Sequence, residues 1–195
     1  MKSWDTKQDG GHEQLILVDE QDREIGQLDK ERCHDGAGLL HRAFSVFLFD
    51  GQGRLLVQQR AAGKRLWPGF WANSCCSHPR FNESLELAAK RRVQEELGMA
   101  IHQVQPIDAF VYQAHFGDLG SEHEYCHILF AQTTDSPHIN QTEIAQIEWL
   151  HADQVRRSLR ENQERWTPWF KLEMALLEEK HPSLLERYGF LIPAA

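Results

Sequence analysis

The sequence has few cysteines and no cysteine pattern that would build a disulfide framework. Its four cysteines among 195 residues include no Cys-x-x-Cys spacing. Cys75 and Cys76 are adjacent in sequence and are therefore badly placed to bridge each other. Because disulfides persist in oxidising compartments, we expect a reduced protein located in the cytoplasm.

Long apolar runs and an excess of basic residues are also missing. No apolar stretch approaches the roughly 18 residues that a membrane span requires, and the N-terminus has no basic-then-apolar secretory pattern. With 21 Lys and Arg against 29 Asp and Glu, the formal net charge is -8, which disfavours a broad nucleic-acid surface. We therefore expect neither a membrane nor a nucleic acid as partner, and an anionic ligand would need a local basic patch.

The composition is that of a globular protein, with 41% hydrophobic and 26% charged residues. The length suits one domain over residues 1–195, with a loose N-terminal arm at 1–13 and a C-terminal tail at 182–195. We expect a monomer or a weak dimer.

Periodicity and turn signals predict many strands and few helices. Apolar residues at every fourth position predict a helix over 84–97, which Asn82 or Ser84 can cap and Gly98 can end. Thr167 and Pro168 predict the start of a helix that runs to 177. Strands are predicted over 14–18, 23–28, 43–49, 55–59, 70–76, 109–115, 125–131 and 147–150, a helix over 152–164 and a loop over 116–124. Because strands and helices neither alternate strictly nor segregate, the pattern predicts an α+β sandwich.

Residues 77–99 carry the strongest local pattern, SHPRFNESLELAAKRRVQEELGM. It resembles the Nudix box, Gly-x5-Glu-x7-Arg-Glu-apolar-x-Glu-Glu-x-Gly-apolar, and the matching residues are Glu83, Arg91, Glu95, Glu96 and Gly98. Such a box is a loop followed by a helix whose acidic residues project toward a divalent cation and a diphosphate.

Two positions depart from the box. Ser77 stands in place of the first Gly, and Arg92 stands in place of the Glu beside the Arg. Losing a metal-binding Glu weakens the case for a hydrolase that holds several ions there, and the new cation could bind phosphate instead.

Further motifs extend the resemblance. They are WANSCCSHP at 71–79, the pair His34 and His41, the triplet Glu122, His123 and Glu124, and Trp169. Together they resemble the type I isopentenyl-diphosphate isomerases, a branch of the Nudix superfamily, over residues 14–171. The resemblance implies a Nudix-type α/β/α sandwich with a mixed sheet.

The resemblance also implies two metal ions. One divalent ion, Mn²⁺, Zn²⁺ or Mg²⁺, would bind three imidazoles and two carboxylates, which belong to His34, His41, His78, Glu122 and Glu124. A nitrogen-rich set of this kind suits zinc, a transition metal or a six-coordinate ion with an open position. A second ion, Mg²⁺, would be carried on the diphosphate and bind Glu96, because magnesium takes few protein ligands beside phosphates and water.

The substrate that the resemblance implies is a small diphosphate. The matching cations are Lys30, Arg60, Lys64 and Arg92. Arg grips phosphate through paired hydrogen bonds, whereas Lys acts as a point charge. These four residues would form the local basic patch that an acidic protein needs for an anionic substrate.

The implied reaction is the 1,3 proton shift between isopentenyl diphosphate and dimethylallyl diphosphate, through a tertiary carbocation, in isoprenoid biosynthesis. It requires an acid and a base on opposite sides of a dry pocket. The resemblance assigns these roles to Cys76 and Glu124. It also implies that Tyr112 assists proton delivery near the glutamate and that Trp169 faces the cation.

Two other interpretations compete with the isomerase. A Nudix hydrolase of a nucleoside diphosphate derivative would explain the box, yet hydrolysis needs neither a positioned thiol nor a histidine cluster. A non-catalytic module with a structural zinc would explain the histidines, yet such sites are usually four-coordinate and rich in cysteine.

Overall fold

The computed structural model describes residues 13–190. Within that range, the strands are β1 (Gln14–Val18), β2 (Glu24–Asp29), β3 (His41–Phe49), β4 (Leu55–Arg60), β5 (Trp71–Ala72), β6 (Cys75–Ser77), β7 (Val104–His115), β8 (Ser121–Gln132) and β9 (Ile144–Leu150). The helices are α1 (Lys30–Cys33), α2 (Leu85–Leu97), α3 (Ala152–Glu161), α4 (Pro168–Lys180) and α5 (Pro182–Arg187). The predicted arm, except for its last residue, and positions 191–195 of the predicted tail lie outside the described residues.

Strand β3 is the centre of a mixed sheet. It pairs in parallel with β8 along its whole length, from His41 opposite Glu124 to Phe49 opposite Gln132. Its other edge pairs antiparallel with β1, β6 and β4 in turn. The sheet continues through β7 beside β8, β2 beside β1, and β5 and β9 beside β4.

The sheet separates two apolar clusters. Phe47 and Phe49 pack among residues of α3, α4 and α5, whereas Val46 and Leu48 pack with α2 on the opposite face. Successive side chains of a strand point to opposite faces, so a strand covered on both sides must be apolar at nearly every position. Helices on both faces of a mixed sheet confirm the predicted α/β/α sandwich.

Helix α2 has the bounds that its capping residues predict. The Ser84 side chain accepts a hydrogen bond from a backbone N–H of the first turn, and Gly98 ends the helix in the left-handed conformation with φ of 65°. Ala89, Val93 and Leu97 of its apolar stripe are fully buried. Two charged residues of the helix, Arg92 and Glu96, are also buried.

Three predicted segments were partly wrong. The loop predicted over 116–124 is shorter, because β8 begins at Ser121 and pairs with β7 from there. The strand predicted over 70–76 is split at Asn73 and Ser74, whose side chains hydrogen-bond the backbone of β3 and β4 in place of a continuous ladder. The helix predicted over 152–164 ends at Glu161 and is followed by a separate 3-10 turn.

The end of the described chain packs against the β3–β4 hairpin. In the predicted tail, α5 buries Leu185, and Phe190 after it is also buried. Within residues 13–190, no helix combines the length and apolar composition that a bilayer crossing requires.

The contact between the β3–β4 turn and the chain after α5 yields a stability prediction. Gly53 has φ of 71°, and a Cβ there would collide with the backbone carbonyl of Gly189. Gly53→Ala should therefore lower the free energy of unfolding by about 1–3 kcal/mol in chemical denaturation. Gly51→Ala, in the same turn with no atom within 4 Å of the added Cβ, is the matched control and should change that energy by less than about 0.5 kcal/mol. Equal effects of the two substitutions would contradict the proposed contact.

Candidate active site

Three histidines and a glutamate converge at the start of the β3–β8 pair. The ligand atoms of His34, His41, His78 and Glu124 all lie within 4.8 Å of one another, and all four residues are buried. They come from the end of α1, the first residue of β3, the loop after β6, and β8. The parallel register sets His41 directly opposite Glu124.

Backbone carbonyls orient two of the imidazoles. The Nδ1 atom of His34 lies 2.6 Å from the carbonyl oxygen of Lys30, and Nδ1 of His41 lies 2.7 Å from that of Leu39. A carbonyl can only accept, so each Nδ1 carries a proton, and each Nε2 offers a lone pair to the cluster when the imidazole is neutral. This is the usual arrangement for metal-binding histidines.

The donor atoms fit a cation. Nε2 of His41 lies 3.2 Å from Nε2 of His78, which lies 3.3 Å from Oε1 of Glu124. Glu122 contributes Oε2, which is 2.9 Å from Nε2 of His34, without hydrogen-bond geometry and without another partner among the described residues. Buried acceptor atoms that face one another need a proton or a metal ion between them, so the cluster could hold a metal ion.

The protonation states of His78 and Glu124 agree with this fit, whereas Glu122 raises the pKa of His34 against the effect of burial. Burial lowers the pKa of His78 to about 4 against the opposing effect of Glu124. Burial alone would raise the pKa of Glu124, but His41 and His78 outweigh it and hold that pKa well below its usual range. A neutral imidazole and an ionised carboxylate are the forms that bind metals.

Cys76 lies beside this cluster with its thiol held by three side chains. Its Sγ donates to Oδ1 of Asn73 at 2.7 Å, and Nε1 of Trp169 donates to Sγ at 3.2 Å. The amide of Asn73 also donates to the carbonyls of Val46 and Cys75, which fixes its orientation. Ser45 is the third neighbour, with Oγ 3.6 Å from Sγ.

Tyr112 joins the second predicted proton-transfer residue. Its hydroxyl donates to Oε2 of Glu124 at 2.7 Å, and the two residues are opposite each other in the β7–β8 register. Burial raises the pKa of Cys76, and the charge of Glu124 contributes to the same effect. Cys76 and Glu124 are therefore near enough to interact, one as a neutral thiol and the other as a carboxylate.

The four predicted phosphate-binding cations cluster around Lys64. Burial lowers the pKa of Lys64 to about 8; Glu96 opposes this shift, and the charges of Arg60, Lys30 and Arg92 add to it. Like charges that interact at a partly buried position could receive an anion.

Each of these cations already has partners in the protein. Nζ of Lys30 lies 2.9 Å from Oε2 of Glu13, and Lys64 contacts Glu143. Nη2 of Arg92 lies 2.7 Å from Oε1 of Glu96. Arg60 donates to the carbonyls of Leu66 and Trp67, and its guanidinium lies 5.3 Å from the ring centre of Trp169.

Glu96, the predicted magnesium ligand, lies on the opposite face of β6 from the thiol of Cys76. It is buried on α2 beside the side chain of Cys75. Arg92 and Lys64 hold its pKa below the usual value against the effect of burial. The carboxylate is therefore ionised and belongs to the cation cluster.

Sequence reasoning missed four residues of the site, which are Ser45, Asn73, Glu143 and Glu173. Asn73 stands inside the WANSCCSHP motif, so its position was a usable signal. Ser45 is a polar residue in an otherwise apolar strand, which is a weaker signal. Glu143 and Glu173 stand in no motif that marks them.

Comparison with known proteins defines the class first. The NUDIX domain family matches residues 39–170. The fold is similar to that of DR0079 from Deinococcus radiodurans, with a TM-score of 0.61 and 23% identity over 77% of this chain and 90% of that one. It is also similar to the Nudix hydrolase RenU from M. smegmatis, with a TM-score of 0.52 and 20% identity over 88% of this chain and 94% of that one.

Closer relatives define the family. The chain is 39% identical to isopentenyl-diphosphate Delta-isomerase 1 of Photorhabdus laumondii, over 87% of this chain and 97% of the relative. It is 43% identical to the isopentenyl-diphosphate Delta-isomerase of Serratia proteamaculans, over 92% of this chain and 97% of the relative. The chain belongs to the isopentenyl-diphosphate Delta-isomerase family of Nudix-domain enzymes.

The histidine cluster predicts stoichiometric metal binding. The purified chain, stripped by a chelator and dialysed against Mn²⁺ or Zn²⁺, should retain about one ion at this cluster. His34→Ala should reduce the bound metal, measured by elemental analysis, because it removes a ligand and the contact of Glu122. His102→Ala alters an exposed histidine and should leave metal content unchanged. Equal metal content in both variants would show that the ion binds elsewhere.

Proposed function

We propose that the chain interconverts isopentenyl diphosphate and dimethylallyl diphosphate by a 1,3 proton shift through a tertiary carbocation, a step of isoprenoid biosynthesis. The observation that carries the proposal is the placement of the Cys76 thiol, which Trp169 contacts, and the buried Glu124 carboxylate, which Tyr112 contacts, beside a cluster of cations. Burial raises the pKa of the thiol, whereas His41 and His78 lower that of the carboxylate. Two titratable groups whose environments drive their pKa values apart are suited to acid–base chemistry.

The cation cluster would bind the diphosphate. Arg60 and Arg92 would hydrogen-bond the phosphate oxygens, and Lys30 and Lys64 would add charge. Glu96 is suited to Mg²⁺ carried on those oxygens, since magnesium takes few protein ligands. The diphosphate would thus anchor the substrate while its hydrocarbon end enters the pocket of Cys76.

Cys76 and Glu124 would perform the two proton transfers. One side chain gives a proton to the alkene and the other takes a proton from the cation, and the roles exchange when the reaction runs in reverse. Tyr112 donates to Glu124 at 2.7 Å, so it can hold that carboxylate in place and carry a proton to or from it.

The histidine cluster would support the glutamate. His34, His41, His78, Glu122 and Glu124 would hold a divalent ion, which supplies a positive charge that favours the ionised form of Glu124. The backbone carbonyls that orient His34 and His41 bind their Nδ1 atoms and leave their Nε2 atoms facing the cluster.

Aromatic side chains would stabilise the cation and exclude water. The ring centre of Trp169 lies 5.3 Å from that of Trp67 and 6.4 Å from that of Tyr112, and all three residues are buried. A desolvated cation over an indole gains on the order of 2 kcal/mol. Such a lining suits a reaction through a carbocation, which water would otherwise trap.

One assay separates the isomerase from its alternatives. Labelled isopentenyl diphosphate with Mg²⁺ and a divalent transition metal should yield dimethylallyl diphosphate and no inorganic phosphate. Release of phosphate would favour a hydrolase instead, and the absence of any turnover would favour a non-catalytic metal-binding protein.

The adjacent cysteines provide a matched pair of variants. Cys76→Ala should lower kcat by about 10² to 10⁴, because it removes a positioned proton-transfer group. Cys75→Ala should cost mainly stability, because Cys75 is fully buried on the α2 face of the sheet. Near-normal activity of Cys76→Ala, with loss of activity in Cys75→Ala, would contradict the assignment.

Trp169 should act on the transition state rather than on substrate binding. Trp169→Leu keeps apolar bulk but removes both the ring and the N–H that reaches Cys76, so kcat should fall while KM changes little. Trp166→Leu, which removes a tryptophan stacked on Phe170 in the same apolar cluster, is the control and should lower mainly stability. If Trp169→Leu raises KM and leaves kcat unchanged, Trp169 contributes to packing and not to the transition state.

A further inference from the structure

Behind Cys76 lies a buried carboxyl group that the proposed mechanism does not use. Glu173 of α4 is completely buried, and its Oε2 makes no hydrogen bond to any described residue. It lies one helical turn after Trp169, so both side chains project from the same face of α4 toward β3, β6 and β8. A buried polar atom without a partner destabilises a fold, which invites a functional explanation.

Glu173 reaches Cys76 through Ser45. The Oγ of Ser45 lies 3.6 Å from Sγ of Cys76 and 3.5 Å from Sγ of Cys126, which donates to it. The Ser45 hydroxyl is near enough to the Glu173 carboxyl to lower the pKa of that group, and Oε1 of the carboxyl accepts from Sγ of Cys126 at 3.7 Å. The Ser45 hydroxyl therefore lies between the carboxyl and the thiol.

The hydrogen-bond donors and acceptors around Ser45 constrain the direction of its O–H bond. Ser45 has one hydrogen to donate and two lone pairs to accept with. If Glu173 is a neutral acid, its O–H can occupy one lone pair of Ser45, and the single S–H of Cys126 donates either to Ser45 or to Oε1 of Glu173. In both cases the Ser45 hydrogen is left for the sulfur of Cys76. If Glu173 is a carboxylate, it accepts the Ser45 hydrogen itself, and the sulfur loses that donor.

The surroundings of Glu173 favour the neutral acid. Burial raises its pKa to about 8, although the hydrogen bonds of Ser45 and Cys126 oppose this shift. The titratable groups that face it are Cys126 and Glu124 of β8 and Cys76 of β6, and none of them supplies a cation.

We propose that Glu173 is a positioning residue, which as a neutral carboxylic acid directs the Ser45 hydroxyl to the sulfur of Cys76 and so supports that sulfur whenever its proton is on the substrate. The inference rests on the isomerase function proposed above. Together with the indole N–H of Trp169, the Ser45 hydroxyl would give the sulfur two donors when it bears charge.

Two substitutions of Glu173 separate positioning from packing. Glu173→Gln keeps a neutral group that can donate to Ser45, and its kcat should stay within about threefold of the unsubstituted enzyme. Glu173→Met keeps the length of the side chain without a donor, and its kcat should fall about tenfold to a hundredfold, with KM unchanged, as for loss of a hydrogen bond to a charged group. Glu179→Met is the control at an exposed position of the same helix and should keep full kcat.

Stability provides an independent readout. Because Glu173→Met removes an unpartnered buried oxygen, its Tm should be equal to or higher than that of the unsubstituted protein. A less active but equally stable variant cannot be explained by misfolding. A loss of both kcat and Tm in Glu173→Met and Glu173→Gln alike would make Glu173 a structural residue and overturn the proposal.

A double-mutant cycle tests the route through Ser45. Ser45→Ala should lower kcat about as much as Glu173→Met, and the double variant should be no worse than either single variant, since both remove the same hydrogen bond. Losses that multiply in the double variant would show that Glu173 does not act through Ser45.

The pH dependence of kcat gives the last readout. Above about pH 8, ionisation of Glu173 should redirect the Ser45 hydrogen and lower kcat in the unsubstituted enzyme. Glu173→Gln cannot ionise, so its kcat should hold to higher pH; identical basic limbs would overturn the proposal. If the unsubstituted chain makes no dimethylallyl diphosphate at all, the isomerase function itself fails, before any variant is compared.

Discussion

The parallel pairing of β3 with β8 is the constraint on which the site depends. Its register sets His41 beside Glu124, and the antiparallel β7 then places Tyr112 on the other side of the same glutamate. Further along β3, the pairing with β6 sets Ser45 beside Cys76. A slip of one residue would turn every one of these side chains to the opposite face of the sheet.

The short strand β6 divides the chemistry between the two faces of the sheet. Cys75 points into the α2 cluster, where Glu96 and Arg92 are also buried, while Cys76 points toward Trp169 on α4. Two adjacent residues thus connect the surface suited to a diphosphate with the pocket suited to its hydrocarbon end. This explains how a strand of three residues can be central to the site without contributing much to the apolar core.

Local patterns in the sequence predicted the sandwich, helix α2 with both of its caps, and the central strand, because each depends on neighbours within one or two turns. The residues that motifs marked, such as His78 and Cys76, could be named in advance for the same reason. Glu143 and Glu173 could not, because their partners are set by how β9 and α4 lie against the sheet. The start of β8 was not predicted because its residues, such as Glu122 and Glu124, are polar and polar segments are typical of loops. Only their pairing with β7 shows that they belong to a strand.

The protein groups that already pair with the four cations affect the entropy cost of binding a diphosphate. Lys30, Lys64 and Arg92 are each engaged by a carboxylate, and Arg60 by backbone carbonyls. Long basic side chains carry up to about 2 kcal/mol of rotamer entropy each, and here much of it is already lost on folding. An incoming diphosphate would exchange one set of oxygen acceptors for another without ordering four flexible side chains. Preorganisation of this kind lets binding energy be used at the reacting end of the ligand rather than in assembling the site.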